Sequence, residues 1–166
     1  MSAVYKSDAS SKHTYLSATE HQKVNAGIEI GKRIALTPLI KGDALTSPGD
    51  VRKVFSLHLA HLEYEAFCGL FLDNRHRVIE FRELYCRTID SSAVYPRDIV
   101  KRCLACNCAA VIFGHNHPSS VAEPPETDVR LTRKLIDALA LIDIRVLDHL
   151  VIARGVQTSL AERGLM

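Results

Sequence analysis

The sequence lacks any apolar run long enough to span a membrane, and its first residues lack the apolar stretch of a secretory signal. No membrane association is therefore expected, and the cytoplasm is the expected compartment. An excess of one charge is also missing: 21 Lys and Arg stand against 19 Asp and Glu, a net +2. A nucleic-acid surface normally needs a clustered basic face, so composition does not support DNA binding. A regular cysteine framework is absent too. The five cysteines are an odd count, with three crowded at Cys103, Cys106 and Cys108, which argues against a disulfide-stapled secreted fold. There is no internal repeat, and no biased tract beyond a serine-rich start. What remains is ordinary: 166 residues, 47% apolar and 24% charged, enough for one globular domain with a buried core.

Residues 1–22 are polar and carry Ser2, Ser7, Ser10, Ser11 and Ser17, and read as a flexible arm. Residues 23–44 read as a weak helical extension, interrupted by glycines and by Pro38. The main domain, 45–166, opens at Ser47-Pro48-Gly49-Asp50, where serine suits an N-cap, proline the first helical position and an acid the helix dipole. Val51, Phe55, Leu59 and Leu62 then recur at helical spacing. Strands are predicted at Ala66–Leu72 and Val78–Tyr85 around a turn at Asp73–His76, forming a hairpin. A helix follows from Pro96 to about Asn107, then a short continuous apolar run, Ala109–Gly114, suited to a strand covered on both faces. A strongly periodic helix from about Asp128 to Ile142 and a last strand, Ile144–Ile152, complete the pattern. Alternating helices and strands predict an α/β fold, a layered mixed β-sheet flanked by helices.

The chemistry concentrates at His115-Asn116-His117-Pro118, where the buried strand ends. Alternate residues of an extended chain point the same way, so His115 and His117 can aim both imidazoles at one point. Eleven residues past His117, at the mouth of the periodic helix, stands Asp128. Two histidines and one carboxylate are a three-ligand set that leaves the fourth tetrahedral position of Zn2+ open, the layout of a catalytic site. An isolated His-x-His usually means two polar loop residues; the strand end, favoured for sites in α/β folds, and the following acid tip the balance toward a metal.

The spacing His115-x-His117, ten residues, Asp128 resembles the JAMM metalloprotease motif of MPN domains. Three further stretches narrow the likeness: His115-Asn116-His117-Pro118-Ser119, Val94-Tyr95-Pro96-Arg97-Asp98, and Arg145-Val146-Leu147-Asp148-His149-Leu150 resemble the RadC family, over about Leu45 to Gly164. That resemblance implies a cytidine-deaminase-like (JAMM/MPN) fold, zinc held by His115, His117 and Asp128, and hydrolysis of a peptide or isopeptide bond in a peptide or protein substrate. It also implies an upstream glutamate as general acid/base, matching Glu65, with Glu63 the alternative if the strand register differs.

The sequence departs from the family pattern in places. The serine usual three residues before the aspartate is Pro125 here, which has no side-chain donor and no N–H. Thr127 and Ser120 are the candidate substitutes; Ser120 itself replaces a customary glycine, as does Arg87. Longer RadC proteins carry a helix-hairpin-helix module, where this chain shows only the arm and the weak helix. Two alternatives to a hydrolase therefore stand: a non-catalytic MPN-type binding or scaffold module, and a DNA-repair-associated accessory. A homo-oligomer is compatible with either. Cys103, Cys106 and Cys108 are expected to pack as small apolar side chains, His149 to support the site or the core, and His58 and His61 to be solvated.

Overall fold

A computed structural model describes residues 17–40, 47–87, 94–118, 123–153 and 155–166. In chain order its elements are α1 (Ala18–Ile40), α2 (Pro48–Leu59), β1 (Glu65–Leu72), β2 (Val78–Arg87), α3 (Pro96–Cys106), β3 (Ala110–Asn116), α4 (Glu126–Ala140), β4 (Arg145–Ala153) and β5 (Val156–Ser159). The strands form one five-stranded mixed sheet in the order β2-β1-β3-β4-β5. Only β3 and β4 run parallel, joined by a crossover through α4; every other neighbouring pair is antiparallel. The expected α/β architecture, a mixed sheet with helical flanks, is what the chain adopts.

Strand alternation sorts the core into two layers. Ala66, Cys68, Leu70, Ile112, Leu150 and Ile152 face α2 and meet Val54, Phe55 and Leu59. Phe67, Phe71, Val111 and Phe113 face the other way, onto Ile99 and Cys103 of α3 and Leu135 and Leu139 of α4. On the α2 side the helix comes very close to β3: a Cβ at Gly114 would lie 2.4 Å from Phe55 Cδ1. Only glycine admits the fully buried Phe55 ring there.

The start of the chain differs from expectation. A single helix, α1, begins at Ala18, inside the span read as an arm, and continues through the glycines; residues 1–16 lie outside the described residues. Its cap explains the start. Ser17 and Glu20 form a capping box, with Glu20 Oε2 2.7 Å from the Ser17 N–H and Ser17 Oγ 3.3 Å from the Glu20 N–H. Gly27 meets nothing nearby, so it costs only propensity, about 1 kcal/mol against alanine. His58 differs too: it is half-buried, its ring 4.1 Å from that of Phe81 and its Nδ1 2.8 Å from the Val54 carbonyl oxygen. Burial pushes its pKa down. His61 is exposed, as expected.

Candidate metal centre

The polar end of β3 is part of the sheet. His115 and Asn116 are both buried, at 3% and 2% exposure, and pair with Val151 and Ile152 of β4. The ladder runs one residue further through a 2.9 Å bond from the His117 N–H to the Ile152 carbonyl oxygen. His115 and His117 are thereby held on the α4 side of the sheet, while Asn116 between them faces the α2 side.

Asp128 reaches the same point from the first turn of α4. Pro125 occupies the N-cap, exposed, with backbone angles φ −66° and ψ 159° and no side-chain cap bond. An acid three residues past an N-cap often returns to the cap's N–H. Proline has none, which leaves the Asp128 carboxylate to face the histidines. His115 Nε2 lies 2.9 Å from His117 Nε2 and 2.9 Å from Asp128 Oδ2, and His117 Nε2 is 3.3 Å from the same oxygen. Burial raises the Asp128 pKa, but the His115 hydrogen bond and the neighbouring imidazole charges outweigh it and hold the carboxyl below its ordinary value.

These distances suit an ion. Zinc held at about 2.0–2.1 Å by tetrahedral donors spaces two of them roughly 3.3–3.4 Å apart, so the three donors need open by only a few tenths of an ångström. Two ring nitrogens and a carboxylate oxygen in mutual contact are mostly acceptors, and they require a shared cation, either a proton or a metal. Among the described residues His115, His117 and Asp128 are the group whose ligand atoms all lie close enough to hold a metal ion. The cysteines at 103, 106 and 108 do not meet that test: Cys103 and Cys108 are buried, and Cys103 is fully inside the core.

Glu65 opens β1, half-buried, beside Phe67. Phe67 pairs directly across from His115 in antiparallel register, so β1 does lie beside the strand that bears the histidines. Glu65 shares strand parity with Phe67 and hence the face of the donor cluster. Glu63 lies in the turn before β1, exposed, and lines a groove of about 380 Å³ with Leu62, Asn116, His117 and Pro118. Thr127 is exposed on the first turn of α4. Ser120 and the Arg87 side chain lie outside what the structure describes.

Three residues at the site carried no assigned role in the sequence reading, or only a general one. His149, fully buried on β4, sits 2.9 Å behind His115, Nε2 to Nδ1. Burial, then the adjacent His115 charge, holds its pKa well below the usual histidine value. Thr132, fully buried on α4, touches His149 from the other side at 2.6 Å. Asn116 ties the approach to β1: its Oδ1 accepts from the Ala66 N–H at 2.8 Å, and its Nδ2 donates to the carbonyl oxygens of Tyr64 at 2.8 Å and Leu62 at 3.4 Å. Asp148, next to His149, does something else. Its carboxylate accepts from Ser159 Oγ and the Ala161 N–H, clamping β5 and the final turn to β4.

The RadC-like JAB domain family model matches residues 45–165, which takes in every one of these groups. The chain belongs to that family. A UPF0758 protein of Marinobacter nauticus is 54% identical over 151 residues, 91% of this chain and 67% of its own length. A second, from Thioalkalivibrio sulfidiphilus, is 51% identical over 91% of this chain and 67% of its own. The chain thus spans about two thirds of the length of these RadC-family relatives. No helix among the described residues is long and apolar enough to cross a membrane.

Proposed function

We propose that this RadC-type domain is a zinc-dependent hydrolase of peptide or isopeptide bonds in a peptide or protein substrate. The observation that supports it is the convergence of His115 Nε2, His117 Nε2 and Asp128 Oδ2 within 3.3 Å of one another at the end of a buried strand. These three atoms would hold the metal. Once bound there, zinc would supply a Lewis acid and a water whose pKa is lowered to about 7. Glu65 would take the proton that the attacking water gives up and pass it to the leaving amine nitrogen. Its support is its place on β1, two residues from Phe67, which pairs with His115.

The test compares Glu65→Gln with wild type, both assayed after zinc loading against mixed peptide and isopeptide substrates. Glu65→Gln should retain zinc and lose turnover by about 100-fold or more. If it turns over at the wild-type rate, Glu65 is not the proton carrier.

A second reading, a binding module without turnover, is favoured by Pro125. The position offers neither a hydroxyl nor an N–H to a developing oxyanion, and one lost donor of that kind costs on the order of 100-fold in rate. Activity that appears only in Pro125→Ser would establish the second reading; activity in wild type removes it.

A further inference from the structure

The residues behind the donor cluster form a hydrogen-bond chain. The Thr132 hydroxyl lies 2.7 Å from the Asp128 backbone carbonyl oxygen, one turn earlier on α4. A carbonyl only accepts and a hydroxyl has one proton, so a hydroxyl that donates to the carbonyl has none left for a second acceptor. His149 Nδ1, 2.6 Å from the same hydroxyl oxygen, must then be the donor. The His149 ring is fully buried, packed edge-on against Phe67 and Phe113 at centroid distances of 5.4 and 6.2 Å. Its two polar partners are a hydroxyl and an imidazole, neither of them an anion. A neutral ring with its proton on Nδ1 presents a lone pair at Nε2. That atom is 2.9 Å from His115 Nδ1, which must carry a proton in turn.

We infer that Thr132 and His149 are positioning residues that lock His115 in its Nδ1–H tautomer, so that the His115 Nε2 lone pair is presented to the metal. The inference rests on the zinc reading for its purpose; without zinc, His115 also shares a proton at Nε2 with the Asp128 carboxylate, and the His149 tautomer is the part that the zinc-free chain carries. Ligating histidines usually give their second N–H to a carboxylate or carbonyl. Here an imidazole would receive it, and the chain returns to Asp128, whose carboxylate would help hold the ion and whose backbone oxygen anchors Thr132. The first turn of α4 therefore sets both a ligand and the tautomer of its neighbour. The reversed direction would take the Thr132 proton from the Asp128 carbonyl and place a proton on His149 Nε2. His115 would then carry its proton on Nε2, where no metal could bind.

Long-range proton–nitrogen correlation spectra of the labelled chain, zinc-free and zinc-loaded, read the tautomer directly. The expected result is His149 protonated on Nδ1 and unprotonated on Nε2 in both states. A His149 carrying its proton on Nε2 overturns the inference. Thr132→Val, of equal shape but without the hydroxyl, should weaken zinc binding 10- to 100-fold in a chelator competition, and Thr132→Ser should restore it to within a few-fold. A Thr132→Val chain that folds and binds zinc as tightly as wild type also overturns it. If Thr132→Val fails to fold, the His149 tautomer in wild type and Thr132→Ser decides. If wild type takes up no zinc, the hydrolase reading falls, while the tautomer of His149 in the zinc-free protein still decides the inference.

Discussion

Replacing Asn116 by alanine separates the scaffold of the site from its proposed metal ligands. The Asn116 side chain faces away from His115 and His117 and holds the Leu62–Ala66 approach to β1 by three hydrogen bonds. It is 2% exposed, so water cannot fully replace it. Truncation leaves the Ala66 N–H and the Tyr64 carbonyl unpaired; at about 1–3 kcal/mol for each abandoned group, the loss should total roughly 3 kcal/mol. For a chain of this size that lowers the melting temperature by about 6–12 °C. Asn116→Asp keeps the acceptor but turns a carboxylate toward two carbonyl oxygens, and should be no better. The proposed ligands lie on the other face, so zinc stoichiometry should stay at the wild-type value in both variants, while the proposed turnover should fall because Glu63 and Glu65 ride on the released segment. Thermal unfolding by circular dichroism, with metal analysis of the same samples, measures both. An Asn116→Ala chain melting within 1 °C of wild type would refute the reasoning.

Gly114→Ala places a methyl 2.4 Å from Phe55 Cδ1 and 2.6 Å from its Cε1, with backbone on one side and a fully buried ring on the other. Overpacking of this kind costs about 1–3 kcal/mol, and urea unfolding should show a lowered midpoint; an unchanged midpoint would mean that α2 is not seated on β3. Burial, then the charge of Glu83, pushes the Cys68 thiol up to about 12. An unfolded thiol ionises near 8.5, so the stability this group contributes is complete below about pH 8.5 and declines as pH rises toward 12. The decline approaches about 1.4 kcal/mol per pH unit, and Cys68→Ala should flatten the alkaline slope of the melting temperature; an equally steep slope in that variant would place the titrating group elsewhere.

Much of the architecture was legible because its signals are local. The Ser47-Pro48 start of α2, the hairpin of β1 and β2 and the apolar stripe of α4 each lie within one segment and fall within a few residues of expectation. The capping box at Ser17 was equally local, but Ser17 belongs to the serine-rich stretch that reads as an arm. Strand β3 runs two residues past the apolar sequence, because His115 and Asn116 are polar yet buried by pairing across the sheet. Four-residue β5, with two exposed positions, has almost no apolar signature. In the site, His115, His117 and Asp128 could be singled out because strand parity and a helix start are sequence properties. The contacts of Thr132 with His149 and of Asn116 with Ala66 bridge 17 and 50 residues, and depend on β3 pairing with β1 and α4 crossing to β4. No spacing rule anticipates them.

The measurement closest to the central claim is the zinc content of the purified chain after loading and desalting, for wild type and for His117→Ala. One zinc per chain in wild type and none in the variant is the predicted result. A wild-type chain free of zinc, or a His117→Ala chain that holds just as much, would contradict the account.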